Sequence, residues 1–473
     1  MKLKNTITLS LASLILLTTS AFAAPEAQKI AVVDIQKVVA SSAQVKALKS
    51  TQDARNKELT DFIKKAQADV NKQTDDKNKK ALASKYEKQL VAKREAYAKD
   101  YATKLKATDA SITEQIGKKA TEMGYTMVLP KSAVLFYGPQ DIRYEETRIK
   151  PLEKGEILVK IEAALTCGTD VKTFRRGHPV LIKEIPSGFG HEFSGVVAKI
   201  APDVKNVKVG DRVVCANSAP CGECFYCKRG EYNLCENLNL LNGAYAEYIV
   251  VPERIVKKNT LILPPSLSFE KAAFCEPLAN VVHGVERTDI KAGQTVGVIG
   301  IGPIGLMFAR LCKLKGARVI VAGRNPLKLK LAEEFAHVDD IVDLKKYANP
   351  EKIFRDFSDE GKGLDVAIEC VGMPEIWELV FSCVRPGGTV HFFGGCKSGS
   401  KVSFDTTKMH YGDIRLMSVF HHTPKYFRQA LDLIASGEVE VEKLITAELP
   451  LEKVEYAMQQ HIAGNAIKFL IRP

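Results

Sequence analysis

Hydrophobic positions change their spacing near residue 130, and the change divides the chain into two parts. Before it, apolar side chains recur at intervals of three, four and seven residues, and no proline occurs between Pro25 and Pro130. This spacing predicts long helices, each with a narrow apolar stripe. After it, short apolar runs bounded by glycine alternate with helical patterns, which predicts an α/β region.

The first part predicts two long helices that meet at the polar run Asp75–Lys80. Each would be about 60 Å long if it held about forty residues. Stripes this narrow do not make a globular core, so the helices are expected to pair as a coiled coil or to cover another surface. Short strands are predicted on either side, at Ile30–Ile35 and Tyr125–Pro130. The stripes consist of Leu59, Phe62, Ile63, Ala66 and Val70, then Tyr86, Leu90, Tyr97, Tyr101, Leu105, Ile112 and Ile116.

A processing signal is predicted at residues 1–23. Lys2 and Lys4 precede the apolar run Ile7–Leu17, and a small-residue site, Ala21–Ala23, follows it. That order is typical of a secretory signal peptide, and the apolar run is too short for a stable membrane anchor. An uncleaved hydrophobic helix is the alternative.

Positive charge is concentrated in the helical part. The whole chain has a formal net charge of +12, and residues 1–130 contribute 23 Lys+Arg against 14 Asp+Glu. A solvated helical surface explains this excess, as does attraction to acidic partners or to an anionic membrane surface. No aromatic or glycine-rich readout element accompanies the lysines, which argues against a nucleic-acid-binding module.

The order of these N-terminal features resembles the Skp/OmpH family of periplasmic chaperones. The resemblance covers the signal peptide, the strand IAVVDIQKV, the lysine-rich hairpin and the return GYTMVLPKSAVLFYG, and it assigns residues 24–132 to the hairpin. It implies that the strands form a trimeric body and that the helices hold unfolded outer-membrane proteins. A generic coiled-coil segment is the alternative.

All 11 cysteines lie beyond residue 130, and four of them share one loop rich in Gly, Asn and Pro. Four thiolates at such short spacing surround one tetrahedral zinc and leave no open coordination position, which is typical of a structural site. Two disulfides in an exported protein are the alternative. The four residues are Cys221, Cys224, Cys227 and Cys235.

A second set of metal-ligand side chains is scattered along the sequence. Cys167 follows an apolar strand, His191 and Glu192 follow a glycine-containing turn, and Glu276 lies between a Cys and a Pro. One Cys, one His and a carboxylate are typical of a catalytic zinc that keeps one position for water or substrate. A lone Cys or His is more often a core residue, so the inference depends on the order of the whole set.

That order resembles the medium-chain dehydrogenase/reductase family, in its sorbitol and threonine dehydrogenase branch, from about Ala133 to the last residue. The resemblance implies a GroES-like β-rich catalytic domain at 133–285, a Rossmann domain at 286–424 and a return to the catalytic domain at 425–473. It also implies a homo-oligomer, dimer or tetramer, that acts on a small alcohol or ketone.

The same resemblance assigns roles to single residues. Thr169 would pass the alcohol proton outward. Members active on threonine have a His three residues after that Thr, whereas this chain has Lys172, which argues against threonine as the substrate. The implied ligands of the catalytic zinc are Cys167, His191 and Glu192, with Glu276 as a fourth ligand or directly behind the exchangeable water.

A dinucleotide site is predicted where the strand Thr295–Ile299 meets a glycine motif and the helix Leu306–Leu314. The glycines let the backbone approach a pyrophosphate at the helix N-terminus, and a plain glycine-rich turn is the alternative. Later strands at 363–370, 388–394 and 414–420 predict a doubly wound parallel sheet. The motif residues expected at the cofactor are Gly300, Gly302, Pro303, Ile304 and Gly305; the resemblance adds Val371, Phe393, Val419 and Phe420 near the nicotinamide.

The end of the next strand, Arg318–Ala322, predicts which cofactor is used. An acidic residue that binds the ribose hydroxyls of NAD is expected there, but the chain has Gly323. Its absence removes repulsion of a 2′-phosphate, and Arg324 and Lys328 would attract that group. We therefore expect two Zn²⁺ per chain and a preference for NADP over NAD. A surface Arg324 with loose cofactor choice is the alternative.

The two parts point to different compartments. A signal peptide and a chaperone-like hairpin predict export to the periplasm, whereas reduced cysteines and a diffusible dinucleotide predict the cytoplasm. The competing functions are an oxidoreductase and a holding chaperone. The seam Ala133–Gly138 suits either part, which suggests a chimera joined there by recombination, engineering or sequence assembly, and we assign Ala133–Tyr137 to the dehydrogenase. Ile30–Ile35 is then expected to lack a closing strand.

Overall fold

The structure, a computed structural model, describes residues 30–32, 42–73, 75–122, 127–129, 132–147, 149–178, 181–347 and 349–473. The chain divides into two compact units, Met1–Lys131 with Glu146–Arg148, and Ser132–Glu145 with Ile149–Pro473. The expected signal peptide lies outside the described residues. Within the described ranges, no helix combines the length and apolar character needed to cross a membrane.

The first unit contains two long helices, α1 (Ala43–Asn71) and α2 (Asp76–Glu122). Ser42 caps α1, since its hydroxyl accepts from the Val45 N–H at 3.5 Å. The helices have 29 and 47 residues rather than nearly equal lengths, and the break falls at the polar residues before Asp76.

The two helices are antiparallel, because residues early in α1 contact residues late in α2. The Arg55 guanidinium lies 2.6 Å from the Asp100 carboxylate, and the Tyr97 hydroxyl donates to Glu58 at 2.5 Å. Nearer the turn, the rings of Phe62 and Tyr86 meet edge to face with centroids 5.6 Å apart. The predicted helical hairpin is therefore present in this part of the chain.

Two short strands, β1 (Ile30–Val32) and β2 (Met127–Leu129), flank the hairpin and pair in parallel. In their register Ile30 lies opposite Met127. The expectation that Ile30–Ile35 would lack a partner is wrong for Ile30–Val32. An antiparallel hairpin returns the chain to the end from which it left, so the segments before α1 and after α2 meet without a strand from elsewhere.

The second unit contains eighteen of the strands that the structure describes. The first ten are β3 (Ser132–Gly138), β4 (Asp141–Glu146), β5 (Ile157–Leu165), β6 (Ser187–Gly188), β7 (Glu192–Ile200), β8 (Arg212–Cys215), β9 (Ser218–Ala219), β10 (Asn239–Leu240), β11 (Tyr248–Val251) and β12 (Thr260–Ile262). The others are β13 (Thr295–Ile299), β14 (Arg318–Gly323), β15 (Asp340–Asp343), β16 (Leu364–Glu369), β17 (Val384–Phe392), β18 (Arg415–Ser418), β19 (Ile445–Pro450) and β20 (Lys468–Arg472).

The helices of this unit are mostly short, and several begin with a proline or an Asn or Asp cap. They are α3 (Gly168–Arg176), α4 (Phe225–Lys228), α5 (Glu253–Asn259), α6 (Phe269–Ala272), α7 (Cys275–Thr288), α8 (Pro303–Leu314), α9 (Pro326–Leu331), α10 (Pro350–Asp356), α11 (Pro374–Cys383), α12 (Thr406–Tyr411), α13 (Pro424–Ala435) and α14 (Val454–Ile462). Single π or 3₁₀ turns occur at Ala332–Ala336, Tyr232–Leu234, Asp359–Gly361, Val441–Leu444 and Leu451–Lys453.

One mixed sheet has the order β12-β8-β7-β5-β20-β19, with β11 also paired to β5. Its last two strands come from the end of the chain, and Leu470 of β20 lies opposite Leu165 of β5. The seam strand β3 also belongs to this unit, because it pairs with β6 and the Val134 N–H donates to the Tyr245 carbonyl at 2.8 Å. The fold here is the expected GroES-like one.

The second large sheet is parallel throughout, with the order β15-β14-β13-β16-β17-β18. Numbered from β13, this is the 3-2-1-4-5-6 order of a Rossmann fold, which binds dinucleotides at the carboxyl ends of the strands where the order reverses. That point lies between β13 and β16. Nearly every side chain of β13 and β14 is buried, as expected for a parallel sheet covered by helices on both faces.

Candidate active site

The four cysteines of the loop converge on one point. Their sulfur atoms all lie within 4.8 Å of one another, with Cys221 Sγ 3.8 Å from Cys227 Sγ and Cys224 Sγ 4.0 Å from Cys235 Sγ. Zinc–sulfur bonds of about 2.3 Å in a tetrahedron separate the sulfurs by about 3.8 Å, whereas a disulfide needs about 2.05 Å. All eleven cysteines are free thiols, so the geometry fits a zinc site and not the disulfide alternative.

Backbone N–H groups support thiolates in this loop. Glu223 and Cys224 donate their N–H groups to Cys221 Sγ at 3.4 and 3.3 Å, and these bonds lower the pKa of the Cys221 thiol to about 6. A thiolate is the form that binds zinc, so these bonds favour the binding form of Cys221, whereas burial raises the pKa of Cys227 to about 12.

The second predicted cluster forms where two paired strands end. Cys167 follows β5 and caps α3, and Glu192 begins β7 opposite Leu165. This register brings Cys167 beside His191 and Glu192, whose ligand atoms lie within 4.8 Å of one another. The fold thus brings Cys167 next to a His-Glu pair that lies 24 or more positions further along the sequence.

Asp170 orients the cluster from behind. It is fully buried, and its carboxylate accepts from His191 Nδ1 at 3.0 Å, from the Tyr245 hydroxyl at 2.5 Å and from the Cys167 N–H at 2.9 Å. Burial opposes a charge on His191, but Asp170 and Cys167 outweigh it and raise the pKa of the imidazole well above its usual value. The negative charge of Asp170 would likewise favour a cation bound to the neutral ring.

Glu192 is paired with a buried lysine. Lys468 Nζ lies 2.5 Å from Glu192 Oε2 and donates to the Thr166 carbonyl at 2.8 Å. Burial would lower the pKa of Lys468, but Glu192 outweighs it, so the pKa is raised and the ammonium form is favoured. The other oxygen, Glu192 Oε1, is buried without a hydrogen-bond partner. An unpartnered carboxylate oxygen beside a Cys and a His fits a zinc ligand.

Glu276 groups with other residues. It is the second residue of α7, and its carboxylate lies within 4.8 Å of ligand atoms of His421 and His422 rather than in the Cys167 group. Burial raises the pKa of Glu276, and the charge of His191 opposes that rise. Thr169 is half-buried, and Lys172 is exposed on α3.

The glycine motif has the shape that a pyrophosphate requires. Gly300 has φ +100° after β13, and a Cβ on Gly305 would lie 1.8 Å from the Gly300 carbonyl oxygen. Gly302 has no atom within 4 Å of a Cβ position, so its backbone is open at the N-terminus of α8. Pro303 and Ile304 form the first turn of that helix.

The residues expected near the nicotinamide lie at the carboxyl ends of later strands. The Val371 N–H donates to Glu369 Oε1 at 2.5 Å just after β16, and Phe393 packs edge to face on Phe308. Val419 is half-buried and the Phe420 side chain is 64% exposed after β18. Val371 follows β16, which borders the point where the strand order reverses, whereas the other three residues follow β17 and the edge strand β18.

Gly323 ends β14, and a Cβ there would lie 2.3 Å from Ile301 Cδ1. Arg324 is exposed directly after it, and Asn325 caps α9 by accepting from the Leu327 N–H at 3.0 Å. Lys328 is half-buried on α9, and burial lowers its pKa. Two basic groups therefore follow the glycine that occupies the position expected for an acidic residue.

Sequence reasoning missed Asp170, Lys468 and the pair His421–His422. Two of these left a signal. Asp170 is the N3 residue of a capping box begun by Cys167, and Lys468 interrupts an apolar strand, Ile467–Ile471. Nothing in the spacing of the histidines predicted their approach to Glu276, because the two elements are 145 residues apart.

Two family descriptions match the chain, "Alcohol dehydrogenase GroES-like domain" over residues 153–261 and "Zinc-binding dehydrogenase" over residues 303–436. Sorbitol dehydrogenase of Bacillus subtilis is 29% identical over 360 residues, covering 74% of this chain and 99% of that protein. D-arabinitol dehydrogenase 1 of Uromyces fabae is 30% identical over 356 residues, covering 74% of this chain and 99% of that protein.

Solved structures share the fold. A zinc-binding dehydrogenase from Sinorhizobium meliloti, bound to NADP, is 32% identical with a TM-score of 0.68, covering 73% of this chain and 100% of that one. 2R,3R-butanediol dehydrogenase from Bacillus subtilis is 27% identical with a TM-score of 0.65, covering 72% of this chain and 99% of that one.

A Rossmann sheet joined to a GroES-like sheet, with a four-thiolate loop and a Cys–His–Glu cluster, defines a zinc-dependent dehydrogenase. The chain belongs to the zinc-dependent alcohol dehydrogenase family, and it is an NAD(P)-linked oxidoreductase that acts on CH–OH groups. Both family matches lie in the second unit, so the likeness of the first unit to periplasmic chaperones remains a prediction.

Proposed function

We propose that the second unit interconverts a polyol and its ketose and that it prefers NADP to NAD. The observation that carries this proposal is the Cys167–His191–Glu192 cluster, in which one buried oxygen of Glu192 has no partner. Three protein ligands leave a coordination position for a substrate oxygen, as catalytic zinc sites require.

The relatives support a polyol as the substrate. Their names describe proteins that act on sorbitol, D-arabinitol and D-xylulose, each a polyol or the ketose related to one. Oxidation of such a substrate removes a hydride from the carbinol carbon, which a bound dinucleotide would accept, and releases the hydroxyl proton to water.

Residues of the chain prepare that reaction. Zinc held by the cluster would supply a Lewis acid for the substrate oxygen, and the dinucleotide would supply the hydride acceptor. Asp170 occupies Nδ1 of His191 and thereby directs Nε2 into the cluster. Lys468 balances the charge of Glu192, and Thr169 is the proposed exit for the hydroxyl proton.

The experiment is NADPH and NADH oxidation by the zinc-replete full chain with a panel of ketoses and simple ketones. We expect turnover with at least one ketose, faster with NADPH, and its loss in Cys167→Ser while the zinc of the four-cysteine loop is retained. No turnover across the panel by either cofactor would contradict the proposal. Faster turnover with NADH would contradict only the cofactor preference.

A second candidate function concerns the first unit. The antiparallel hairpin and the β1–β2 pair support this candidate, whereas the signal peptide of the chaperone-like order lies outside the described residues. We propose that this unit holds unfolded outer-membrane proteins and that its chain is exported. Suppression of aggregation of a urea-diluted outer-membrane β-barrel protein tests it, with the chain lacking residues 1–131 as the control. Equal aggregation with both proteins would contradict it.

A further inference from the structure

We propose that Glu369 is a positioning residue for the nicotinamide end of the dinucleotide. Glu369 is the last residue of β16, and its side chain is completely buried. It holds Cys370–Gly372, the β16 segment, between two neighbouring loops. This role rests on the proposed function, since it requires that a dinucleotide binds at the Rossmann sheet.

The Glu369 carboxylate fixes the backbone of the β16 segment. Its Oε1 accepts from the Val371 N–H at 2.5 Å and from the Gly372 N–H at 2.7 Å. The Glu369 carbonyl accepts from the N–H groups of Phe393 and Gly394, both at 3.0 Å. One residue therefore binds the β16 segment through its side chain and the turn after β17 through its backbone.

The β16 segment is packed tightly on both sides. On one side, a Cβ on Gly394 would lie 2.4 Å from the Gly372 nitrogen and 2.6 Å from Glu369 Oε2. On the other side, a Cβ on Gly300 would lie 2.7 Å from Val371 Cγ2. Gly300 is the first glycine of the dinucleotide motif, so the β16 segment lies against the loop that is expected to hold the pyrophosphate. A shift of the segment would therefore disturb both the position of Val371 and that loop.

Trp377 supports the turn after β17 from the other end. Its indole Nε1 donates to the Gly394 carbonyl at 3.1 Å, and its ring stacks on Phe392 with centroids 4.2 Å apart. Trp377 is the only tryptophan in the sequence. Energy transfer from this indole to a bound nicotinamide ring therefore reports on the arrangement of the β16 segment and its neighbours.

The place of the β16 segment in the sheet predicts which part of the cofactor it meets. A Rossmann sheet has two mononucleotide-binding halves, and the end of its second strand, here Gly323 of β14, faces the adenosine ribose. β16 begins the other half, so the nicotinamide mononucleotide is expected beside the β16 segment. The Val371 side chain is 39% exposed there. A shift of about 1 Å between reacting groups can lower a rate about 100-fold, so a fixed Val371 favours hydride transfer.

Two substitutions separate the reach of the side chain from its charge. Glu369→Gln keeps an oxygen that can accept from both N–H groups, whereas Glu369→Asp keeps the charge on a side chain one methylene shorter. Burial raises the pKa of Glu369, and the N–H groups of Gly372 and Val371 oppose that rise, so a neutral amide is no costlier to bury. The control is Glu378→Asp, which makes the same change where an exposed side chain accepts one N–H, from Ser403 at 3.0 Å.

The readouts are the emission of NADPH bound to the full chain, excited directly and through Trp377, and kcat with a ketose that is turned over. We expect Glu369→Gln and the control to match the wild type. Glu369→Asp should shift the emission towards that of free NADPH and lower kcat by up to about 100-fold. The Kd for 2′,5′-ADP, which lacks the nicotinamide, and the zinc content should be the same in all of these proteins.

Three outcomes would overturn the positioning role. One is wild-type emission and kcat in Glu369→Asp, and another is equal damage in Glu369→Gln, which would mean that charge rather than reach matters. The third is a parallel loss of Tm and of 2′,5′-ADP binding in Glu369→Asp, which would assign Glu369 to the fold alone. A wild type that binds NADPH but reduces no ketose would contradict the proposed function, and the emission would still decide the role of Glu369.

Discussion

At the scale of single residues, two buried charges hold the Cys167–His191–Glu192 cluster in place. Asp170 fixes the ring of His191, and Lys468 pairs with Glu192. Neither pairing can be predicted from the spacing of residues along the sequence, because the partner of a buried charge is known only once the fold has brought the two groups together. The ligands themselves could be predicted, since their residue types and order carry the chemistry.

Lys468→Met should destabilise the second unit. The substitution leaves Glu192 buried without its cation, and loss of one partner of a buried pair costs about 3–5 kcal/mol. We expect a lower Tm and weaker zinc binding by the Cys167 cluster. Lys453→Met, at an exposed position, is the control. An unchanged Tm in Lys468→Met would show that zinc alone compensates Glu192.

Cys224→Ser should remove one zinc per chain. The serine cannot replace a thiolate in a four-sulfur site whose members lie within 4.8 Å of one another. We expect a lower Tm with little change in the relative rates on different ketoses. Elemental analysis of anaerobically purified protein measures the ion. A zinc content equal to that of the wild type would refute the assignment of this loop.

Arg324→Ala should weaken binding of NADPH more than that of NADH. A charged hydrogen-bond pair contributes about 1.5–3 kcal/mol, which corresponds to a KM for NADPH raised about tenfold or more. The reverse design, Gly323→Asp, is less clean because its Cβ would lie 2.3 Å from Ile301 Cδ1. Equal effects on the two cofactors would show that Arg324 does not contact the 2′-phosphate.

At the scale of elements, the strand–turn–helix of the dinucleotide site is the best-predicted part of the chain. The bounds of β13 are those predicted, whereas the helix begins at Pro303 rather than Leu306, because its first turn includes part of the glycine motif. Predicted strands at 363–370 and 414–420 are shorter in the structure. The sequence predicts a doubly wound parallel sheet but not which strands are neighbours in it. In the structure β15 and β18 lie at opposite edges of the sheet.

Two glycines of that motif should respond differently to alanine. Gly302→Ala should fold normally, because φ is −73° and no atom lies near the new methyl group, but the methyl should obstruct the pyrophosphate. Gly305→Ala places a methyl 1.8 Å from the Gly300 carbonyl oxygen. Overpacking of about 1–3 kcal/mol would lower Tm by roughly 2–12 °C.

Differential scanning fluorimetry and the KM for NADPH separate the two effects. Gly302→Ala should raise the KM at an unchanged Tm, and Gly305→Ala should lower the Tm. A lower Tm in Gly302→Ala would mean that this glycine serves the fold rather than the cofactor.

At the scale of the whole molecule, the sequence could reveal two units and both short strands of the first, but not that these strands pair with each other. The break in composition near residue 130 agrees with the boundary at Lys131 and Ser132. The pairing of β1 with β2 was missed because each is three residues long and their partner choice depends on the hairpin between them.

Limited proteolysis should release an active dehydrogenase. The second unit has its own sheets and its own buried cores, so cleavage between about Lys118 and Lys131 should leave activity and zinc content intact. Trypsin digestion followed by size exclusion and assay measures this. Joint loss of activity and zinc after cleavage there would mean that the two units share one core.

The pairing of Glu192 with Lys468 has a consequence for synthesis of the protein. The two residues are 276 positions apart, and ribosomes add about 5–20 residues per second, so Glu192 is made roughly 14–55 s before its partner. Until then β5 also lacks β20 along one edge. If the catalytic domain folds before the chain is complete, it has an open sheet edge and a carboxylate without its cation throughout translation of the Rossmann domain, so metal loading of the Cys167 cluster should follow completion of the chain.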